Sequence, residues 1–465
     1  MIWIFLGAAA VLVAGYRAYD NIRRCGYDVR RDYRYDVSNA PELEAAIEGN
    51  TVRFAHTAVQ TVLVEVEMAA SFWGLWRRPG VDVRSGTRVS RHVFEHGGRG
   101  RRFLVVDAEA SRLECSPRTL RRFRIVGVRA LALPELSSGL LVLSPHPDDA
   151  EIAAFGLYAA AAAKAAVVTV TAGDGGKRPY KTLIGDETAA YELKAQMRVG
   201  DSLCVPRLGG VAAERIVNLG YSDGTLAAMY RRPDTPVAAP KTTIGSPQRY
   251  RRLNSGTVAL PPRETATWNG LVDDLCRLLR TFDPQTLVLP FPRFDRAPDH
   301  RYATLAMIEA ILREERTQMT LLLYTNHLPE NELYPYGPAG TAVDLPPSLN
   351  AKVSLLPVSF PLEASMQARK LLALEAMSVL RPDPSWTTPS GMAALGCKAA
   401  VNLLKGKDKS YFRRAVRANE LFFSLHASAL HSPQTLASLF PEGFFDNASQ
   451  PATTAAGEKA SSAAE

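Results

Sequence analysis

Two short polar clusters hold the residue types that do metal and acid–base chemistry. The first, Ser144-Pro145-His146-Pro147-Asp148-Asp149-Ala150-Glu151, follows the apolar run GLLVLS and opens a helical segment. The second, Asp295-Arg296-Ala297-Pro298-Asp299-His300-Arg301, follows TLVLPF and opens another. Imidazole and carboxylate are suitable zinc ligands, and a catalytic zinc site uses three protein ligands with water in the open position. Adjacent Asp148 and Asp149 cannot both point the same way, so one can bind metal while the other reaches the bound water. Such water has its pKa lowered to roughly 7, and a nearby carboxylate can take its proton as it attacks a carbonyl. The competing explanation is helix capping, for which Asp at a helix start, Pro147 and Pro298 are all suited. Recurrence at two strand ends favours a metal hydrolase.

The elements that position these clusters follow from the hydrophobic period. After Ser138 the chain alternates continuous apolar runs (139–144, 166–173, 215–220, 286–291 and 320–326) with helical patterns (149–163, 187–203, 263–282 and 299–313). This order predicts an α/β fold with a Rossmann-like, mostly parallel sheet and helices on both faces. Ligands of such sheets bind outside the carboxyl ends of the strands, where both polar clusters fall. Residues 225–262, rich in Pro, Thr and Arg, read as a long loop and a candidate lid.

Before this region, residues 35–135 give short irregular β patterns, predicting a small β-rich domain. Its His56, His92 and His96 read as surface histidines, because a zinc site needs three or four convergent ligands. Met1 to Tyr16 is an uncharged apolar run followed by Arg17, Arg23 and Arg24. It predicts an uncleaved membrane anchor over residues 1–20, with the catalytic domain on the cytoplasmic side by the positive-inside rule. The last twenty residues, 446–465, form a low-complexity tail expected to carry no fold.

Composition bounds the rest. The 465 residues suggest two or three domains, and 46% hydrophobic with 22% charged residues excludes a broadly disordered chain. Five scattered cysteines without a C-x-x-C pair argue against a disulfide framework and a zinc ribbon. The net charge of +8 is concentrated early: residues 1–135 hold 21 arginines, no lysine and 15 Asp plus Glu. No nucleic-acid-binding signature accompanies that charge, and no nucleic-acid partner is expected.

The run P-H-P-D-D-A-E-I at 145–152, D-H-R at 299–301 and the spacing between them resemble the PIG-L / LmbE-like deacetylases, zinc-dependent hydrolases of N-acetylglucosamine-type amines. TVTAGDGG at 168–175, Arg198 with Asp201, and LGYSDG at 219–224 add to the resemblance, which covers residues 138–430. It implies that His146, Asp149 and His300 hold Zn2+, that Asp148 is the general base and later the acid, and that Arg198 and Asp223 contact the substrate sugar. It also implies that Asp299 tunes the neighbouring histidine. The sequence departs from the pattern at Ala297, where many members carry a histidine that stabilises the oxyanion; zinc, a backbone N–H, Arg293 or Arg296 would have to serve instead. The expected substrate is an N-acetylated amino sugar, which a membrane anchor would make sensible as a lipid-linked glycan. The alternatives are another metal-dependent amide or ester hydrolase, or a catalytically degenerate glycan- or partner-binding protein.

Overall fold

The computed structural model describes residues 2–54, 61–180, 183–243, 245–254, 258–329, 331, 333–347, 355–380, several positions between 389 and 400, and 414–448. The tail from 449 onward and His56 lie outside the described residues. The chain divides into two compact units. The first comprises residues 1–135, 327–371 and 395–425; the second comprises 136–326, 372–394 and 426–465.

The first unit begins with helix α1 (Ile2–Arg23). Eight strands follow: β1 (Ala45–Glu48), β2 (Thr51–Phe54), β3 (Thr61–Ala70), β4 (Gly80–Ser85), β5 (Arg88–Val93), β6 (Arg99–Asp107), β7 (Arg112–Arg118) and β8 (Leu120–Leu131). They pair antiparallel into a five-stranded sheet, β1-β2-β7-β4-β5, and a three-stranded one, β6-β3-β8. Alternating apolar positions of both sheets, among them Val52, Val64, Val81, Leu104 and Leu113, meet in one core. Beneath it a buried ion pair joins Arg102 to Glu95, and Arg102 also donates to the carbonyls of Val29 and Arg31.

The N-terminal anchor expected from the sequence is not supported. Among the described residues no helix is long and apolar enough to cross a membrane. The uncharged part of α1 ends at Tyr16, and the helix continues through Arg17, Asp20 and Arg23. That leaves ~22 Å of uncharged helix against a hydrocarbon core of ~30 Å. The helix packs on its own unit, where Trp76 donates to the Ala14 carbonyl (2.8 Å) and Asn21 to that of Leu75 (3.0 Å).

His92 and His96 are buried rather than on the surface. His92 Nδ1 pairs with Asp344 Oδ1 (2.8 Å) and its Nε2 with Ser90 Oγ (2.9 Å), which ties the segment around 344 to β5. His96 faces the Gly74 carbonyl, and burial, with help from Arg78, pushes its pKa down to about 3.

The second unit carries five strands: β9 (Leu140–Ser144), β10 (Ala165–Thr171), β11 (Ile216–Tyr221), β12 (Thr286–Pro290) and β13 (Thr320–Tyr324). All neighbours pair parallel in the order β11-β10-β9-β12-β13. Each strand is an almost uninterrupted buried run, as a parallel sheet demands. Helices α2 (Asp149–Ala160), α3 (Glu187–Cys204), α4 (Leu226–Arg231), α5 (Gln248–Arg251), α6 (Trp268–Phe282) and α7 (Pro298–Arg313) lie between them. Two of these, α4 and α5, interrupt the region read as a loop over 225–262; both are a turn or so long and below the reach of periodicity. The chain winds outward from β9 to β11 in one direction and from β12 to β13 in the other. This leaves a crevice at the carboxyl ends of β9 and β12. Later in the chain, β14 (Leu356–Pro361), α8 (Ala364–Ala376) and β15 (Asn419–His426) follow, with β14 antiparallel to β15.

The burial of His96 predicts a pH dependence. Its folded pKa lies below the unfolded value of 6.5, so the stability it contributes is complete above pH 6.5 and is lost as pH falls toward 3. His96→Gln is expected to flatten the unfolding free energy between pH 6.5 and 4.5 by up to about 1.4 kcal/mol per pH unit. Urea denaturation at several pH values checks this; equal slopes in both proteins would refute it.

Candidate metal centre

The two strands flanking the crevice each deliver one imidazole. His146 leaves the end of β9, and His300 sits in the first turn of α7 after β12. Between them lies Asp149, the first residue of α2. Three donor atoms converge: His146 Nδ1, Asp149 Oδ2 and His300 Nε2, with separations of 3.4 Å (His146 to Asp149), 3.1 Å (Asp149 to His300) and 3.2 Å (between the imidazoles). Ligands bound at 2.0–2.1 Å around a tetrahedral zinc stand about 3.3 Å apart, so the donor set fits that metal.

Electrostatics favour a cation in the same place. Burial opposes charge on His300, but Asp149 and Asp295 outweigh it and lift its pKa to about 10. Burial likewise opposes charge on His146, and Asp223, Asp149 and Asp299 raise it well above the ordinary range. Asp149 is driven the other way by the two histidines, which overcome its burial. Carboxylates outnumber the imidazoles, and a bound cation relieves the excess.

The capping explanation fails on the side chains. Asp148 occupies the cap position of α2, yet its carboxylate makes no capping hydrogen bond. The Ala150 N–H goes instead to Ser144 Oγ at 3.1 Å. The cap position of α7 is Ala297, which has no side chain for the purpose. Asp148 is held with φ at 132°, ψ at −26°, a backbone state costly for any residue but glycine and characteristic of functional sites. Its carboxylate pairs with Arg198 (3.2 Å), whose guanidinium also donates to the Pro147 carbonyl (2.6 Å).

The other residues singled out from the sequence fall as follows. Asp299 meets His146 Nε2 (3.2 Å) rather than the adjacent His300, and accepts from the Gly224 N–H (2.6 Å). Asp223 accepts from the N–H groups of Gly173 and Gly175, both at 3.0 Å. A side chain at Gly173 would strike Arg198 and one at Gly175 would strike Asp223, which explains two of the three glycines of TAGDGG. Arg198 is thus buried and Asp223 half-buried, and the Asp223 carboxylate is near enough to His146 for their charges to attract. Arg296 lies exposed on the turn before α7, and Arg293 donates to the Ser438 carbonyl (2.7 Å).

Two residues escaped the sequence reading. Asp295 grips His300 Nδ1 at 2.8 Å, fixing the tautomer that presents Nε2 to the other donors. Its place five residues before His300, in a cluster already marked as polar, was the available signal. Asn326, just after β13, donates to Asp149 Oδ1 at 2.8 Å. Nothing in its local sequence marks it; only the strand order brings it there.

Residues 141–311, which span β9 to α7 and hold all three converging donors, match the family model described as PIG-L: GlcNAc-PI de-N-acetylase. The chain therefore carries a PIG-L family domain. None of the curated proteins matches it. Among solved structures it is similar to an N,N'-diacetylchitobiose deacetylase from Pyrococcus horikoshii, at 17% identity, TM-score 0.35, over 65% of this chain and 91% of that one. A deacetylase of the A40926 pseudoaglycone aligns at 15% identity, TM-score 0.35, over 63% and 99%. A 4-carboxy-2-hydroxymuconate hydratase from Pseudomonas putida aligns at 15% identity, TM-score 0.33, over 62% and 95%.

Asp295→Ala is expected to weaken divalent-metal binding by about 10- to 100-fold, as loss of an imidazole's outer partner does. Competition with a chromophoric chelator measures it, and unchanged affinity would show that Asp295 does not orient His300.

Proposed function

We propose that this protein is a zinc-dependent hydrolase that removes the acetyl group from an N-acetylated amino sugar. The observation that carries the reading is the convergence of His146 Nδ1, Asp149 Oδ2 and His300 Nε2 beside a second carboxylate, Asp148. The PIG-L family match over the same residues supports the choice of an acetamide as substrate.

His146, Asp149 and His300 would hold the metal. When bound, zinc lowers the pKa of a water to about 7 and polarises a carbonyl oxygen. The remaining work falls to side chains of the chain itself. Asp148 takes the proton of the attacking water as the tetrahedral centre forms, and then delivers it to the amine nitrogen as the C–N bond breaks. Arg198 keeps the Asp148 carboxylate aimed through the 3.2 Å ion pair while bracing its strained backbone at Pro147. Asp299 bridges His146 to the 222–224 turn, so imidazole and turn hold a common position. Asp223, whose carboxylate interacts with His146, would accept a hydrogen bond from a sugar hydroxyl. With Ala297 offering no imidazole, Arg296 is the candidate that would steady the developing oxyanion from its exposed turn.

The test is zinc content and acetate release measured together on the full chain, with N-acetylglucosamine conjugates as substrates. About one zinc per chain is expected, lost in His146→Ala along with acetate release. Asp148→Asn is expected to keep its zinc while kcat falls by about 100-fold or more. Full activity of Asp148→Asn with bound metal would remove the base from the scheme.

The contacts of Arg198 separate aiming from substrate binding. Arg198→Met is expected to lower kcat with KM changed by less than about 3-fold. A rise in KM at constant kcat would return Arg198 to the role of a sugar ligand.

A further inference from the structure

On the face of α3 opposite Arg198 lies a second concavity. Gln196, Gly200 and Leu203 of α3 follow the spacing i, i+4, i+7 and so form one stripe, about half a turn away from Arg198, and Arg207 follows in the tighter turn just beyond the helix. Together with the segment around α5 this stripe encloses a cavity of about 400 Å3, within the size range of small-molecule sites. The wall is apolar at Leu203, Leu253 and the Tyr250 ring. Its depth comes from Gly200, where an added side chain would meet nothing within 4 Å.

Three arginines line it: Arg207, Arg249 and Arg252. Arg249 has a distant acidic neighbour, Glu192, at 3.7 Å. Among the described residues, Arg207 and Arg252 form no ion pair. Arg249 and Arg252 also line an adjoining depression with Thr243, Ser246, Gln248 and Glu264, where the Thr243 hydroxyl donates to Glu192 and the Ser246 hydroxyl to Glu264. Guanidinium forks pair with the oxygens of phosphate, and three of them exceed what a single carboxylate can engage. A phosphomonoester offers close to two negative charges and three acceptor oxygens.

We propose that this cavity binds a phosphomonoester whose organic part is apolar. The phosphate sits among Arg207, Arg249 and Arg252, and the apolar part fills the space over Gly200 against Leu203 and Leu253. The site is separate from the metal centre, since the two use opposite faces of α3, and it does not depend on the hydrolase reading.

Calorimetric titration of the full chain with phenyl phosphate, inorganic phosphate and phenol tests it. Phenyl phosphate is expected to bind about 10-fold more tightly than inorganic phosphate, and phenol not at all. Gly200→Leu, whose Cβ meets nothing within 4 Å and whose longer side chain takes up cavity space, is expected to abolish phenyl phosphate binding while the melting temperature stays near that of the unmodified chain. The double variant Arg207→Ala/Arg252→Ala is expected to weaken binding by about 10-fold or more, and more so at low salt. His300→Ala is expected to leave it unchanged. Absence of phenyl phosphate binding, binding that survives Gly200→Leu, or binding lost in His300→Ala instead would each overturn the proposal.

Discussion

Three lone-pair donors held within 3.4 Å of one another repel unless positive charge lies between them. Everything around the crevice serves to keep that unfavourable geometry in place. Asp295 fixes one imidazole, Asp299 the other, and Asn326 the carboxylate, so each donor is anchored from behind. The sheet supplies the rigidity: β9 and β12 are neighbours in parallel register, and their fully buried side chains leave no freedom to splay. A site assembled this way presents its donors already placed, which favours affinity over adaptability.

Much of this was legible in the sequence because the informative signals are local. Buried parallel strands read as unbroken apolar runs, and GLLVLS and TLVLPF were placed within a residue or two of β9 and β12. The histidines and aspartates follow those runs at once, so marking the strands also marked the site. Reading failed where the deciding contact is distant. Asn326 reaches Asp149 only through strand order, and Asp299 bonds to His146, 153 residues away, rather than to the histidine beside it. His92 and His96 read as surface residues because polar character suggests exposure, yet a carboxylate at 344 and a carbonyl at 74 satisfy them inside. The apolar start of the chain misled for another reason: composition to Tyr16 matches a membrane segment, whereas the helix itself runs on through Arg17, Asp20 and Arg23.

The same residues show how one helix can serve two surfaces. On one face of α3, Arg198 braces Asp148 across glycines that permit close approach. On the other, Gly200 opens space between Leu203 and Arg207. Glycine acts in opposite senses at these places: at 173 it lets two groups touch, at 200 it keeps them apart. Only the second costs stability, about 0.5–1 kcal/mol relative to alanine in a helix interior, whereas Gly173 has a positive φ and no room for a side chain.

The separation of the donors along the chain has a bearing on biosynthesis. His146 and Asp149 emerge from the ribosome some 150 residues before His300, and a two-ligand fragment holds a metal ion only weakly. The nascent protein therefore passes through a long interval in which β9 is made but its partner β12 is not, and Asp149 has no second imidazole to face. A three-donor metal site in this chain would form only at the end of folding, after the long-range pairing of β9 with β12 has closed the crevice.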